Sequence, residues 1–157
     1  MSKAARPHLA PEESLVIERG ADMKSEYRDG WSFATPGENA THSELLVNLC
    51  AELGAQSRDE RRRIYSSDLR LATPGERNFV YPDVSGLGVE PTFRDETRDV
   101  LLNPSFVVEV LSPSTEADDR GRKLAIYLAV PSTVEIVLSD FFDGVDLAPL
   151  PPFRERS

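Results

Sequence analysis

The sequence predicts an α/β fold in which a mixed β-sheet is flanked by helices, in the order α-β-β-β-α-β, with a small N-terminal hairpin. Three observations support this prediction: a capped helical pattern from residue 41, strand-like runs between residues 63 and 111, and a second helical pattern followed by one more strand. Short connections let such strands join one sheet that the helices cover. The length of 157 residues fits one domain, which we place at residues 23–142.

The first 22 residues are expected to form a partly flexible N-terminal segment. They contain two prolines and few apolar anchors, apart from a short helix predicted over 11–19 in which Leu15 could rest on the domain. After this segment, the dipeptide Asp29-Gly30 favours a tight turn between two short runs that contain aromatic residues. We therefore expect a hairpin over 26–34.

The clearest helix begins at Thr41. Thr41 and Glu44 have the spacing of a capping box, and leucines recur at helical spacing until Gly54. A place at the helix start also accounts for His42, which has no cysteine or second histidine near it at metal-ligand spacing. The single cysteine, Cys50, is expected to be a small buried hydrophobic residue of this helix.

Three strands are predicted between this helix and the next one. Residues 63–71 alternate between apolar and polar side chains and indicate a half-buried strand. Residues 79–84 form a second run, in which Pro82 cannot donate a ladder hydrogen bond and should kink the strand. Residues 106–111 are apolar on both faces apart from Glu109, which predicts a central strand.

A second helix is predicted over 118–130. Its cap would be Ser114 or Thr115. A fourth strand over 134–138 and a short proline-rich tail over 143–157 follow it. The core stripe of this helix is expected to consist of Leu124, Tyr127 and Leu128.

The charge balance limits the surface that the chain can offer to nucleic acid. Asp and Glu total 27 against 18 Lys and Arg, and the formal net charge is -9, so contact with nucleic acid needs local basic residues. Residues 58–63 and 120–123 could supply them, or they could be solvated surface. No apolar run approaches the roughly 20 residues that span a bilayer, and the N-terminus lacks the apolar stretch of a signal peptide, so we expect a cytoplasmic protein.

Glu109 and Asp83 are the first two candidate site residues. An ionised carboxylate at Glu109, in a strand of Phe, Val and Leu, would cost several kcal/mol if nothing compensated it. A salt bridge, a protonated carboxyl and a bound metal ion all remain open. Asp83 favours the metal because it lies on the neighbouring predicted strand, at the proline, and Mg²⁺ prefers carboxylate oxygens. Taken alone, Asp83 could equally be a turn aspartate.

Lys123 is the third candidate. It follows Glu109 by fourteen positions and shares one side of the second predicted helix with Arg120 and Tyr127, at spacings of three and four. Its ammonium could face the sheet, or it could form a surface ion pair with Asp119, four residues earlier. The sequence leaves both interpretations open.

Short motifs along most of the chain share an order with those of a known family. They are Lys24-Ser25-Glu26-Tyr27-Arg28-Asp29-Gly30, Ser67-Asp68-Leu69-Arg70, Tyr81-Pro82-Asp83-Val84, Leu102-Asn103-Pro104, Val108-Glu109-Val110-Leu111-Ser112-Pro113-Ser114-Thr115, Asp119-Arg120-Gly121-Arg122-Lys123 with Tyr127, Pro131-Ser132 and Ile136-Val137-Leu138. These motifs closely resemble the bacterial Uma-two family of endonucleases, within the PD-(D/E)XK nuclease superfamily. The resemblance implies a restriction-endonuclease-like core in which Asp83 and Glu109, on adjacent strands, bind Mg²⁺ and a lysine assists, with Mn²⁺ as the alternative ion.

The resemblance also bears on which lysine assists. The acidic motif here reads Glu109-Val110-Leu111, so Leu111 stands where the superfamily usually has lysine. The resemblance implies that Lys123 supplies the amine instead. Asp68 matches the Ser-Asp pair of the family and could border the site or make a structural hydrogen bond. Glu44 could be the acid found on the first helix of many superfamily members, although the capping box already explains it.

The resemblance implies a metal-dependent endonuclease that hydrolyses phosphodiester bonds of nucleic acid, with DNA as the expected substrate. Asp83 and Glu109 would be the metal ligands, and Lys123 would be the third catalytic residue. The alternative is a truncated or degenerate family member that acts as a non-catalytic nucleic-acid or protein-binding module, because family members generally continue through further strands where this chain enters its tail. A sheet edge left open there would favour a homodimer.

Overall fold

Helices and short strands alternate along the part of the chain that the computed structural model describes, residues 8–58, 62–111, 116–133 and 135–139. The strands are β1 (Ser25–Arg28), β2 (Trp31–Ala34), β3 (Arg63–Tyr65), β4 (Arg70–Ala72), β5 (Asn78–Val80), β6 (Val84–Leu87), β7 (Val100–Leu101), β8 (Phe106–Val110) and β9 (Glu135–Ser139). The helices are α1 (Pro11–Arg19), α2 (Ala40–Ser57), α3 (Glu116–Asp118) and α4 (Leu124–Leu128), and the π-helical turn Asp119–Lys123 joins the last two. The predicted α/β class and the N-terminal hairpin are confirmed.

The strands of the described residues form two sheets, so the expectation of a single sheet is wrong. One sheet has the order β2-β1-β5-β4-β7 and the other has the order β3-β6-β8-β9. Two pairs, β4 with β7 and β8 with β9, run parallel, and the remaining pairs run antiparallel. Each sheet is therefore mixed, and β8 lies inside its sheet as predicted.

Two of the predicted strands are in fact pairs of strands that belong to different sheets. The run 63–71 divides into β3 and β4, and the run 79–84 divides into β5 and β6. The second division contains Pro82, whose missing N–H ends a ladder. An alternating pattern indicates which side chains share a face, but it does not say which neighbour the strand pairs with. Both short breaks carry the chain from one sheet to the other.

Helix α1 and the β1–β2 hairpin begin close to their predicted positions. Helix α1 covers the predicted residues, and its Leu15 is buried. The hairpin turns through Asp29 (φ 46°) and Gly30 (φ 90°), and positive φ at both central residues is the geometry that this dipeptide favours. Residues 1–7 of the expected flexible segment lie outside the described residues.

Three details of the predicted helices are wrong. Asn39, rather than Thr41, caps α2 and accepts the His42 N–H at 2.9 Å, so the capping box is not formed and Glu44 is an exposed residue. The helix also continues through Gly54 to Ser57. In α4, Leu128 is 69% exposed although it was assigned to the core stripe. The proposed caps at 114–115 and the tail at 143–157 lie outside the described residues.

The core consists of apolar clusters on both faces of the sheets. One cluster joins α2 to the even-numbered residues of β8, and another packs Val107 of β8 against the five-stranded sheet and α4. A third packs Leu15 of α1 against the five-stranded sheet. Cys50 is half-buried against the α2 cluster, and burial raises the pKa of its thiol. Because strand residues alternate, Glu109 shares the face of Val107, between the two sheets.

No helix among the described residues is long and apolar enough to cross a membrane.

Replacement of Gly86 by alanine should lower the free energy of unfolding by about 1–3 kcal/mol, the usual cost of overpacking. A Cβ at this position would lie 2.4 Å from Phe106 Cζ and 3.0 Å from the Arg63 carbonyl oxygen. The control is Gly54→Ala on α2, because the added Cβ would meet no atom within 4 Å apart from its chain neighbours and the backbone of its own helix. Because alanine has a higher helix propensity than glycine, this control should raise the free energy of unfolding by up to about 1 kcal/mol. Urea midpoints measure both changes, and equal losses would contradict this account of the packing.

Candidate functional site

Asp83 and Glu109 come from neighbouring parts of the four-stranded sheet. Glu109 lies on β8, and Asp83 directly precedes β6, the antiparallel neighbour of β8. Val84 stands opposite Val108, so the register extended by one pair brings Asp83 opposite Glu109. Opposite residues of an antiparallel pair point to the same face. Both side chains accordingly line one cleft of about 350 Å³.

Two groups hold the carboxylate of Asp83. The backbone N–H of Val110 donates a hydrogen bond of 2.7 Å to its Oδ2, and His42 Nε2 lies 3.3 Å from the same oxygen. His42 is buried in the first turn of α2, and its Nδ1 lies 3.5 Å from the Glu38 carboxylate. The sequence placed His42 correctly at the helix start but did not indicate its contact with Asp83, because the two residues are 41 positions apart.

The carboxylate of Glu109 is 2% exposed and receives two donors on one oxygen. Lys123 Nζ lies 3.1 Å from Oε1, and the hydroxyl of Tyr127 donates to the same atom. Burial, followed by the negative charge of Glu109, raises the pKa of Tyr127 well above its usual value, so this hydroxyl keeps its proton and remains a donor. Tyr127 was expected in the core stripe, and its position four residues after Lys123 is the signal that it could reach the site.

Lys123 directs its amine into the cleft between two carboxylates. Its side chain is 14% exposed, and its Nζ lies 3.1 Å from Glu109 Oε1 and 3.6 Å from Glu26 Oε1. Of the two interpretations that the sequence left open, this placement favours a lysine that faces the sheet over one that forms an exposed pair with Asp119. The side chain of Asp119 itself lies outside the described residues. Lys123 ends the π-helical turn, a distortion that is frequent at functional sites.

Glu26 lines a depression next to the cleft, which Lys123 also lines, and it was not predicted as a site residue. It is 5% exposed on β1, and its Oε1 accepts the Tyr81 N–H at 3.1 Å. The Arg28 guanidinium pairs with its other oxygen and makes hydrogen bonds of 2.9 and 3.1 Å to Asp118. The sequence predicted a hairpin here but not its partner, and the pairing of β1 with β5 places Glu26 inside the sheet.

Other predicted residues lie at or beyond the rim of the cleft. Asp68 is exposed and forms an ion pair with Lys24, which lines the cleft and donates a hydrogen bond of 3.0 Å to the Ser67 carbonyl. Leu111, at the usual lysine position of the superfamily, is buried. Glu44 is exposed and does not line the cleft.

The two predicted basic clusters have different surroundings. In the first, Arg63 pairs with Glu90 at 2.9 Å, and residues 59–61 lie outside the described residues. In the second, Arg122 is largely exposed and 3.7 Å from Asp118, beside the inward-facing Lys123. The side chain of Arg120 lies outside the described residues.

The two carboxylates on one face fit the chemistry of a hard divalent cation. Mg²⁺ is commonly held by one or two carboxylates and takes its other oxygens from water and substrate phosphate. Asp83 and Glu109 supply that donor set. Within the described ranges there is no cluster of three or more His, Cys, Asp and Glu side chains placed to hold a metal ion. Whether these residues bind an ion and catalyse a reaction stays a prediction.

Comparisons with known proteins give one family model and two curated relatives that match most of the chain. The model of the Uma2 family, described as "putative restriction endonuclease", matches residues 11–144. The uncharacterized protein sll1609 of Synechocystis is 34% identical over 134 residues, which cover 85% of this chain and 76% of that protein. A second uncharacterized Synechocystis protein, slr1290, is 37% identical over 132 residues, which cover 84% and 68% of the two chains.

A crystal structure supports the fold. The structure of a "putative nuclease belonging to DUF820" from Anabaena variabilis superimposes with a TM-score of 0.64 at 19% sequence identity, over 83% of this chain and 73% of that one. The predicted restriction-endonuclease-like fold class is confirmed by this likeness together with the α/β elements.

Replacement of Tyr127 by phenylalanine should lower the free energy of unfolding by about 1.5–3 kcal/mol, the range for hydrogen bonds to charged groups. The ring would stay in the core while Glu109 loses a donor. The matched control is Tyr27→Phe, because the Tyr27 hydroxyl donates to the neutral Leu9 carbonyl at 3.0 Å and should contribute about 1 kcal/mol. Urea unfolding in EDTA measures both, and indistinguishable losses would contradict an ionised Glu109 in the folded protein.

Proposed function

Because the chain belongs to the Uma2 family of putative restriction endonucleases, we propose that it is an endonuclease that hydrolyses phosphodiester bonds, with DNA as its substrate. One observation carries this proposal: Asp83 and Glu109 line the same cleft from neighbouring parts of the four-stranded sheet, with the Lys123 amine 3.1 Å from Glu109. An acidic pair beside one cation matches the requirements of phosphoryl chemistry, in which metal ions and ammonium groups stabilise charge on the transferring phosphoryl group.

We further infer that Mg²⁺, or Mn²⁺ in its place, is the cofactor and that Asp83 and Glu109 hold it. A bound ion would stabilise negative charge on the phosphate and make a water molecule a better nucleophile. The Val110 N–H and His42 orient Asp83, while Tyr127 and Lys123 orient Glu109. These contacts fix both carboxylates before substrate arrives, which lowers the cost of reorganisation in the transition state.

Lys123 is the residue that we propose to act on the substrate directly. Its ammonium lies in the cleft beside the acidic pair, where it can stabilise charge that develops on a phosphate oxygen. The largely buried surroundings strengthen this effect, because charges interact more strongly there than in water.

The acidic net charge makes a local contact surface necessary. Lys24 lines the same cleft, and Arg122 is largely exposed in the neighbouring depression that Lys123 also lines. Both side chains can contact phosphates of a strand that crosses the cleft. Because the described part of the chain offers few such contacts, binding to DNA should be weak without the divalent cation.

The first test of this function is the cleavage of supercoiled plasmid DNA in Mg²⁺. Asp83→Asn and Glu109→Gln should each lower the nicking rate by about 100-fold or more, the scale on which loss of an electrostatic contact to developing charge acts. The control is Glu90→Gln, the same change in an exposed residue that pairs with Arg63. It should leave the rate unchanged.

Two results would contradict the catalytic proposal. Equal nicking rates for Glu109→Gln and Glu90→Gln would show that Glu109 is not a catalytic residue. No cleavage by the wild-type protein in Mg²⁺ or Mn²⁺, with retention of DNA in a gel-shift assay, would favour the non-catalytic binding module.

Lys123→Met separates stability from activity. In EDTA this variant should lose about 3–5 kcal/mol of unfolding free energy, because Glu109 and Glu26 remain buried without the ammonium. Addition of Mg²⁺ should restore more stability to this variant than to the wild type, since the ion replaces the missing positive charge, while cleavage stays low. Urea midpoints with and without Mg²⁺ measure the difference. If Mg²⁺ raised the urea midpoint of Lys123→Met and of the wild type equally, metal binding at these carboxylates would be contradicted. The same holds if Mg²⁺ raised the midpoint of Asp83→Asn as much as that of the wild type.

A further inference from the structure

We propose that Glu26 is a positioning residue for Lys123: it provides a second carboxylate that keeps the ammonium in the cleft when Glu109 binds the metal ion. This inference rests on the proposed nuclease function and extends it to a residue on the other sheet. Glu26 lies on β1 of the five-stranded sheet, whereas Glu109 lies on β8 of the four-stranded sheet and Asp83 directly precedes β6 of that sheet.

The geometry around Lys123 is the first argument. Its Nζ lies 3.1 Å from Glu109 Oε1 and 3.6 Å from Glu26 Oε1, and the two glutamates are 2% and 5% exposed. Two buried carboxylates therefore flank one ammonium. An ion pair on the surface would not need two buried carboxylates, and exposed ion pairs contribute little to the stability of a protein.

The contacts of Glu26 with its own neighbours are the second argument. The Tyr81 N–H donates to its Oε1, and Arg28 pairs with its Oε2. Asp118 holds Arg28 in turn through two hydrogen bonds. These contacts do not involve Lys123, so Glu26 stays in position when the ammonium moves by a few tenths of an ångström.

Charge balance is the third argument. Glu109 accepts from both Lys123 and Tyr127 on the same oxygen. A divalent cation held by Glu109 would repel the ammonium, which would then need another anionic partner within reach. Glu26 is such a partner, and its distance requires only a small shift of Nζ. Without it, the ammonium would either compete with the ion or leave the cleft.

The test is a double-mutant cycle on the cleavage rate at saturating Mg²⁺ and DNA. Glu26→Gln keeps the side-chain shape and its acceptor for the Tyr81 N–H, and it should lower kcat by about 10- to 100-fold, the usual effect of losing a partner behind a site residue. The KM for DNA should change less than about threefold, because Glu26 does not contact substrate. Glu26→Asp, which restores the charge, should recover part of the rate.

The cycle identifies the residue through which Glu26 acts. In the Lys123→Met background, Glu26→Gln should change kcat by less than about threefold, because residues that act as a unit are not additive. If Glu26→Gln multiplies the loss caused by Lys123→Met, Glu26 acts independently and the inference is wrong. If Glu26→Gln behaves like the surface control Glu90→Gln, Glu26 has no part in the reaction.

A second readout does not depend on cleavage and separates this inference from the proposed function. The sequence contains three lysines, Lys3, Lys24 and Lys123. In EDTA, the Glu109→Gln variant leaves Glu26 as the charged member of the two side chains that flank Lys123. When this variant is treated with sulfo-N-hydroxysuccinimidyl acetate, the additional change Glu26→Gln should raise the acetylation of Lys123 several-fold, as measured by peptide mass spectrometry, and leave Lys24 unchanged. This response together with an inactive wild-type protein would refute the nuclease proposal alone. Unchanged acetylation of Lys123 would refute the positioning role alone.

Discussion

The ammonium of Lys123 lies between buried carboxylates that belong to different sheets, Glu109 on β8 and Glu26 on β1. An ionised acid inside a protein is stable only when a counter-charge and hydrogen bonds compensate the loss of water. Because one lysine serves two such acids, the relative position of the two sheets and the geometry of the cleft depend on the same contact. A change that removes this cation therefore affects both the stability of the protein and the site.

The two short breaks between sheets explain how a chain of this length builds such a cleft. At each break the chain crosses from one sheet to the other within a few residues. The second break, Tyr81-Pro82-Asp83, places Asp83 directly before the first residue of β6. The proline cannot continue a ladder, so the backbone there is available for other partners. One such partner is Glu26, which accepts the Tyr81 N–H. The break thus links the metal-ligand candidate to the acid that holds the lysine.

The sequence predicted the parts of the site that local patterns determine. Glu109 was identified from its apolar strand, and Asp83 from the neighbouring proline; both lie in one cleft with Lys123. Glu26 and the contact of His42 with Asp83 could not be predicted, because each depends on pairing between distant segments that periodicity does not encode. The capping-box spacing of Thr41 and Glu44 pointed to the wrong cap, because Asn and Thr are both common N-cap residues and Asn39 begins the helix earlier.

The π-helical turn Asp119–Lys123 determines which side chains share one side of the helical segment that follows β8. In a regular α-helix, residues five positions apart point about 140° away from each other, since each residue advances the helix by about 100°. A turn with i→i+5 hydrogen bonds brings such residues into approximate alignment. Asp118 and Lys123 are five apart, and both face β1, where Asp118 binds Arg28 and Lys123 lies beside Glu26. The extra residue of this turn therefore decides whether the two side chains align: if residues 118–123 formed a regular α-helix of the same length, Asp118 and Lys123 would point about 140° apart, although every side chain of the cleft would still be present in the sequence.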